Sequence, residues 1–134
     1  MPSAADSCYR AAMAFTLYNA PPSTCSQRVR FVLNAKGLPF VEHKLDLLAG
    51  DQLKPEYLAI NPNGVVPTLD HDGAIVIDSS VIIEYLDEIA PQPASFTPAD
   101  PVARAKMRAL MRFIAMRVQE DISGKNIKHL TERR

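Results

Sequence analysis

The sequence predicts an α/β domain, a small mixed sheet with flanking helices in the order β-α-β-α-β-β-α, followed by a linker and the start of an all-α domain. Three observations predict it. Two β-rich runs, residues 15–19 and 40–45, are separated by a helical pattern, so they must run parallel. An Asp72-Gly73 pair sits between two further apolar runs and is the strongest short-range hairpin signal. A stretch holding Pro91, Pro93, Pro98 and Pro101 then precedes a long run of helical periodicity.

The elements follow in order. Phe15-Thr-Leu-Tyr-Asn19 reads as the first strand, and Pro21-Pro22 breaks it. Ser23 and Thr24 offer N-caps, after which Cys25, Val29, Val32 and Leu33 fall on one helical face. Gly37 and Pro39 stop that helix. Residues 40–45 alternate as the second strand. Residues 50–60 read as a short irregular helix, and Asn61-Pro-Asn-Gly64 as a turn. Residues 65–69 and 74–77 read as two strands, with His71-Asp72-Gly73 between them. Asp78-Ser79 caps a helix with the stripe Val81, Ile82, Tyr85, Leu86 and Ile89. This is the thioredoxin-like plan.

The expected organisation is an N-terminal extension over residues 1–12, a domain over 13–91, a linker over 92–101 and a partial helical domain over 102–134. Met13 is the expected natural start. In the last segment Ala103, Met107, Leu110, Met111, Ile114 and Val118 share a helical face, and Met107, Met111 and Met116 read as core packing.

Composition excludes several classes. Apolar residues make up 47% of 134, enough to build a core. Fifteen basic and fifteen acidic residues cancel, so neither nucleic acid nor an anionic membrane surface is an expected partner. An anionic ligand must be held by local geometry. Cys8, Cys25, His43, His71 and His129 lack metal-site spacing, so no metal is expected, and the histidines read as solvated loop residues. No membrane span or secretory signal is evident, and a reducing cytoplasm is the expected location.

Three features carry chemistry. Ser23 opens a helix whose unpaired N–H groups and dipole favour an anion, and its hydroxyl can donate to a thiolate; a plain N-cap is the other reading. Val66-Pro67 opens a strand. If that bond is cis, Val66 keeps its N–H and C=O free to pair with a peptide ligand; an ordinary edge-strand proline is the other reading. Asp78 can pair with an ammonium and Ser79 with a carboxylate, so the pair suits an α-amino-acid end; a capping motif is the other reading.

Taken together, Leu17-Tyr18, Ser23-Thr-Cys-Ser-Gln-Arg-Val-Arg30, Lys36-Gly-Leu38, the run from Glu56 through Asn61-Pro-Asn-Gly-Val-Val-Pro-Thr-Leu69, Asp72-Gly73 and Asp78-Ser-Ser-Val-Ile-Ile-Glu-Tyr-Leu-Asp-Glu88 resemble the glutathione transferase superfamily. The resemblance covers residues 15–90 closely. It implies that Ser23 contacts the glutathione sulfur, Val66 the cysteinyl backbone beside Pro67, Asp78 and Ser79 the γ-glutamyl end, and Gln52 the glycine carboxylate. It implies glutathione as co-substrate, a small electrophile as second substrate, and a homodimer where the helical domain is complete.

The Ser-Thr-Cys-Ser run is similar to the zeta class, whose members include maleylacetoacetate isomerases, although Gln27 stands where that class has an aromatic. It is also similar to bacterial transferases related to β-etherases. Conjugation of glutathione to an electrophile is the expected activity. Glutathione-dependent isomerisation, thiol transfer and non-catalytic glutathione binding are the alternatives. Cys25 is a possible redox residue, but related thiol enzymes carry their reactive cysteine at the first tetrad position, where this chain has Ser23. Complete members continue into further helices, so a truncated, frame-shifted or natively short form is expected here. A Met-rich helical face without partners would favour self-association.

Overall fold

The computed structural model describes residues 14–122. The expected extension with Cys8 and Met13, the side chain of Val118, and the tail with His129 lie outside the described residues. The chain divides into two compact units, residues 1–96 and 97–134.

The first unit is a four-stranded sheet in the order β2-β1-β3-β4 with helices packed against it. β1 is Phe15–Asn19, α1 Thr24–Ala35 and β2 Phe40–Lys44. A 3₁₀ turn at Asp51–Leu53 leads to α2, Pro55–Leu58. β3 is Thr68–His71, β4 Ala74–Ile77 and α3 Ser79–Ile89. β1 pairs β2 in parallel and β3 antiparallel, and β3 pairs β4 antiparallel. The topology is the thioredoxin-like one the sequence predicts.

Each element has a local cause. The alternation of β1 sends Phe15, Leu17 and Asn19 to the buried face. Val29, Val32 and Leu33 of α1, Leu69 of β3, and Ile82 and Leu86 of α3 complete that core. The β3–β4 turn holds two residues, Asp72 and Gly73, both at positive φ (52° and 91°), as a two-residue hairpin of this type demands.

Five details differ from expectation. β3 begins at Thr68 and not at residue 65, because Pro67 cannot donate to the ladder. His71 closes β3 instead of lying in a loop: its ring packs on Phe15 at 4.4 Å, and His71 Nδ1 shares a 2.6 Å hydrogen bond with the Tyr85 hydroxyl. On α1 the small Ser26 is buried and Cys25 only half-buried, since the helix turns its polar Oγ toward the backbone of Ala20. On α3 Val81 is 52% exposed, while Ile83 packs against the core. Residues 50–60 split into the 3₁₀ turn and α2 around Lys54-Pro55, where proline blocks continuous helix.

The boundary between the units falls after Phe96, inside the expected linker, for an electrostatic reason. Lys36 is fully buried and ion-paired with buried Asp87. Lys36 Nζ also donates to the Ala94 carbonyl and sits 4.3 Å from the Phe96 ring centroid. Asp87 in turn accepts from Ser95 Oγ (3.0 Å) and the Phe96 amide (2.8 Å). Two buried charges that satisfy each other thus strap residues 94–96 onto the first unit.

The second unit is described by α4, Pro101–Ile122. The Asp100 carboxylate accepts from the Ala103 amide at its start. Met107 and Met111 are half-buried, whereas Met116 is exposed and does not pack as a core residue. No helix among the described residues is long and apolar enough to cross a membrane.

Removing one member of a buried ion pair leaves the other charge uncompensated. Asp87→Ala should therefore destabilise the first unit by about 3–5 kcal/mol. Replacing both partners with apolar residues (Lys36→Met with Asp87→Leu) should cost clearly less. Urea unfolding midpoints of the two variants check the order.

Candidate functional site

The strand register gathers the sequence-predicted residues at one end of the sheet. Tyr18 pairs Thr68, and Thr68 pairs Ile77, so these residues form one row across β1, β3 and β4. Beyond that row β1 runs out toward Ser23, β3 is entered from Val66-Pro67, and β4 runs out to Asp78-Ser79. Loops at the carboxyl ends of parallel strands are the usual place for ligands in α/β sheets.

Ser23 sits at the N-cap of α1 in extended backbone, and its Oγ accepts from the Ser26 amide at 3.2 Å. Capping uses a lone pair and leaves the hydroxyl proton to donate elsewhere. The segment leading to it is fixed from several sides. The Ala20 amide donates to Ser26 Oγ, the Ser23 amide to the Ala20 carbonyl at 3.0 Å, and Arg30 to the Pro21 carbonyl at 3.0 Å. Cys25 lies two residues further into the helix as a half-buried free thiol.

The Val66–Pro67 bond is cis. Among the described residues neither the N–H nor the C=O of Val66 has a hydrogen-bond partner, although the preceding carbonyl, that of Val65, has two. The Val65 carbonyl accepts from Tyr57 OH at 2.6 Å and from Asn61 Nδ2 at 3.1 Å. Tyr57 OH also meets Thr68 Oγ1 at 2.8 Å, and Asn61 Nδ2 donates to that same Oγ1 at 3.0 Å. Tyr57 spends its single proton on Val65, so Thr68 supplies the proton between the two hydroxyls. Sequence reasoning quoted Tyr57, Asn61 and Thr68 in a motif but gave them no role. Their long-range bonds leave no periodic trace.

Asp78 caps α3, accepting from the Ser80 amide at 2.8 Å and the Val81 amide at 3.4 Å. It does so at φ 69°, a conformation sparsely populated for a non-glycine residue and found most often at functional sites. Ser79 is buried, and its Oγ accepts from Arg28 Nε at 3.0 Å; Arg28 also donates to Ser80 Oγ. Arg28, like Tyr57, Asn61 and Thr68, was quoted in a motif but given no role.

Gln52 stands differently. Its backbone carbonyl would stand 3.2 Å from a Cβ on Gly64, a tight approach at a residue that holds φ 60° two residues before Val66. Its side chain turns inward: Nε2 reaches the Leu47 carbonyl at 3.4 Å, and Oε1 is buried without a partner among the described residues. The structure brings Gln52 to the Val66 loop without presenting its amide outward. A cavity of about 440 Å³ lined by Tyr18, His43, Leu45, Lys54, Tyr57 and Ile60, among others, contains none of the sequence-predicted site residues.

The helix-start serine, the unpaired Val66 edge and the Asp78–Ser79 cap all leave the same end of a thioredoxin-like sheet. A family model described as "Glutathione S-transferase, N-terminal domain" matches residues 17–94, and the chain belongs to that family. It is 41% identical over 112 residues to maleylacetoacetate isomerase maiA of Aspergillus fumigatus, covering 78% of this chain and 48% of that protein. A glutathione transferase homologue from Sulfitobacter, solved with bound glutathione, superposes with a TM-score of 0.71 at 37% identity, over 76% of this chain and 49% of that one. The β-etherase LigF from Sphingobium gives 0.70 at 37% identity, over 75% and 42%. The chain spans about half the length of the curated relatives it matches.

Burial raises the Tyr57 phenol above its ordinary value, outweighing the bonds to Thr68 and Asn61 that lower it. A raised native value stabilises the fold fully below the unfolded value of about 10 and is lost as pH climbs through the native one. Unfolding free energy should therefore fall above about pH 10, and Tyr57→Phe should flatten that alkaline limb. At neutral pH the same substitution should cost about 1–3 kcal/mol by leaving buried acceptors short of a donor. Denaturant titrations at pH 7 and pH 10.5 check both.

Proposed function

We propose that the chain binds glutathione at this end of the sheet and readies its sulfur for attack on a small, mostly apolar electrophile. The observation that carries the reading is Ser23: its oxygen is committed to the helix cap while its proton stays available, beside the positive end of α1. A glutathione thiolate seated there would accept that hydroxyl proton as a hydrogen bond and gain the helix field, which lowers its pKa. The cysteinyl backbone would pair with the free N–H and C=O of Val66 next to Pro67, as a short β-addition. The γ-glutamyl ammonium would face Asp78 and its carboxylate Ser79. The glycine carboxylate would reach Gln52 only if that amide left Leu47. The glutathione held by the Sulfitobacter homologue supports the ligand.

A second reading is favoured by the likeness to a maleylacetoacetate isomerase. On a maleyl-type substrate the thiolate adds to the conjugated double bond, the resulting single bond rotates, and the thiolate is expelled unchanged. The same activated sulfur serves both reactions, and the second substrate decides between them. We propose a homodimer in a reducing cytoplasm for either. Thiol transfer through Cys25 is the weaker reading, since its half-buried thiol does not open the helix as Ser23 does.

Ser23→Ala should lower conjugation about 10- to 100-fold, the worth of one hydrogen bond to a charged group. It should also raise the kinetic pKa of the bound thiol by about 1–2 units. It removes a helix cap too, so Ser23→Asp serves beside it: aspartate caps as well but sets a negative charge against the sulfur. Glutathione turnover with a general electrophile, followed against pH, checks this. Undiminished turnover in Ser23→Asp would remove the hydroxyl from the mechanism. Retention on glutathione resin without turnover in the unsubstituted chain would favour a binding module.

A further inference from the structure

We propose that the cavity on the side of the sheet away from the core is a binding site for a small organic cation, an alkylated ammonium ion seated against the rings of Tyr18, His43 and Tyr57. The site is separate from the glutathione reading above and does not rest on it.

The strand pattern builds the walls. Phe15, Leu17 and Asn19 of β1 face the core, so Tyr18 projects from the opposite side of the sheet. Its parallel partner His43 on β2 projects from that side with it, and the two ring centroids lie 5.0 Å apart at 43°. Tyr57 comes from α2, with its ring centroid 6.1 Å from that of Tyr18 at 54°. Rings tilted this far do not cover one another's faces as flat stacks do. With Leu45 and Ile60 they line the cavity of about 440 Å³. That volume falls within the range of small-molecule sites, about 300–1,000 Å³. The Tyr57 hydroxyl is committed to Val65 and Thr68, so what Tyr57 offers a ligand is its ring.

The charges at the rim decide what such walls would hold. Asp51, Lys54 and Glu56 also line the cavity. Lys54 is already paired with Asp51 at 2.7 Å. The hydrogen bond and attraction of Asp51, with smaller contributions from Glu56 and Asp46, hold the Lys54 ammonium above its ordinary value. Three carboxylates thus surround one ammonium, and Glu56 has no ion pair among the described residues. A proton on His43 would still leave this group of charges negative. Such a rim disfavours an anion and favours a cation. Aromatic faces attract cations through the ring quadrupole, and alkylated ammonium ions are the cations they hold best. Among the described residues the cations set over rings are Lys36 at Phe96 and Arg117 at Phe113, so no side chain of the protein takes that place at Tyr18, His43 or Tyr57. A trimethylammonium head on a short chain fits both the walls and the rim.

The test is a ligand-observed NMR titration of the full chain with choline and with 3,3-dimethyl-1-butanol, which has the same shape without the charge. Choline should bind about 3- to 30-fold tighter than the alcohol. Tyr18→Leu should erase most of that preference, whereas Tyr18→Phe, which keeps the ring, should retain it. Glu56→Gln should weaken choline binding about 2- to 5-fold and leave the alcohol unmoved. The preference is a ratio taken within one protein, so a misfolded fraction cancels from it. Glu56→Gln is in addition an exposed, nearly isosteric change that spares the packing. Equal affinity for the two ligands, or no choline binding, overturns the proposal. So does a preference that survives both Tyr18→Leu and Glu56→Gln, since choline would then be held elsewhere.

Discussion

The Val65 carbonyl and the Thr68 hydroxyl lie where buried polar groups must find partners, and Tyr57 and Asn61 supply them. This four-residue knot stands between α2, the Asn61–Gly64 turn and the first residue of β3. It fixes the chain on both sides of Val66-Pro67, while among the described residues the N–H and C=O of Val66 stay unpaired. Peptide recognition at this site requires a rigid edge with one unsatisfied donor and one unsatisfied acceptor. Such an edge persists in a folded protein when its flanks are over-determined, and here they are tied by four hydrogen bonds in a row.

Electrostatics divides the rest of the work between two helix starts. At α1 the N-cap oxygen is spent on the helix and its proton is not. At α3 the cap is a carboxylate, Asp78, and the Arg28 guanidinium of α1 reaches Ser79 and Ser80 in the same turn. In a chain of zero net charge, a charged peptide would have to be held by local groups such as these. The sheet makes this possible. Thr68 is level with Tyr18 and Ile77, so three chain segments distant in sequence turn away from one row.

Much of this was legible in the sequence, and what was missed has separable physical causes. Asp72-Gly73, the proline breaks and the Asp78-Ser79 cap are local signals, and they placed the strands, the hairpin and α3. The Lys36–Asp87 pair joins α1 to α3 and then to residues 94–96, a span no periodicity reveals, so the linker reading ran over residues that in fact pack. Ser26 for Cys25 and Ile83 for Val81 are errors of helical phase, in which chemical type misled about facing. His71 read as loop because the hairpin signal was taken one residue too wide. Arg28 was quoted within a motif without a role, since nothing local distinguishes an arginine facing water from one facing another helix start. Gln52, carried over by resemblance alone, is turned inward at its side chain.

The groups that would hold the tripeptide all come from residues 23–80 of the first unit, and none depends on α4. On the proposed reading, glutathione recognition and thiol activation would be tasks of this one sheet end. The choice between conjugation and isomerisation is a separate one, set by what holds the second substrate. A thiolate readied by Ser23 is indifferent to whether its adduct is kept or expelled. An activated sulfur with a variable neighbour is consistent with a family that includes both isomerases and an etherase among the relatives of this chain. On the proposed reading, changes at Ser23 would act on the chemical step, whereas changes at Asp78 and Ser79 would act on how firmly the peptide is held before that step begins.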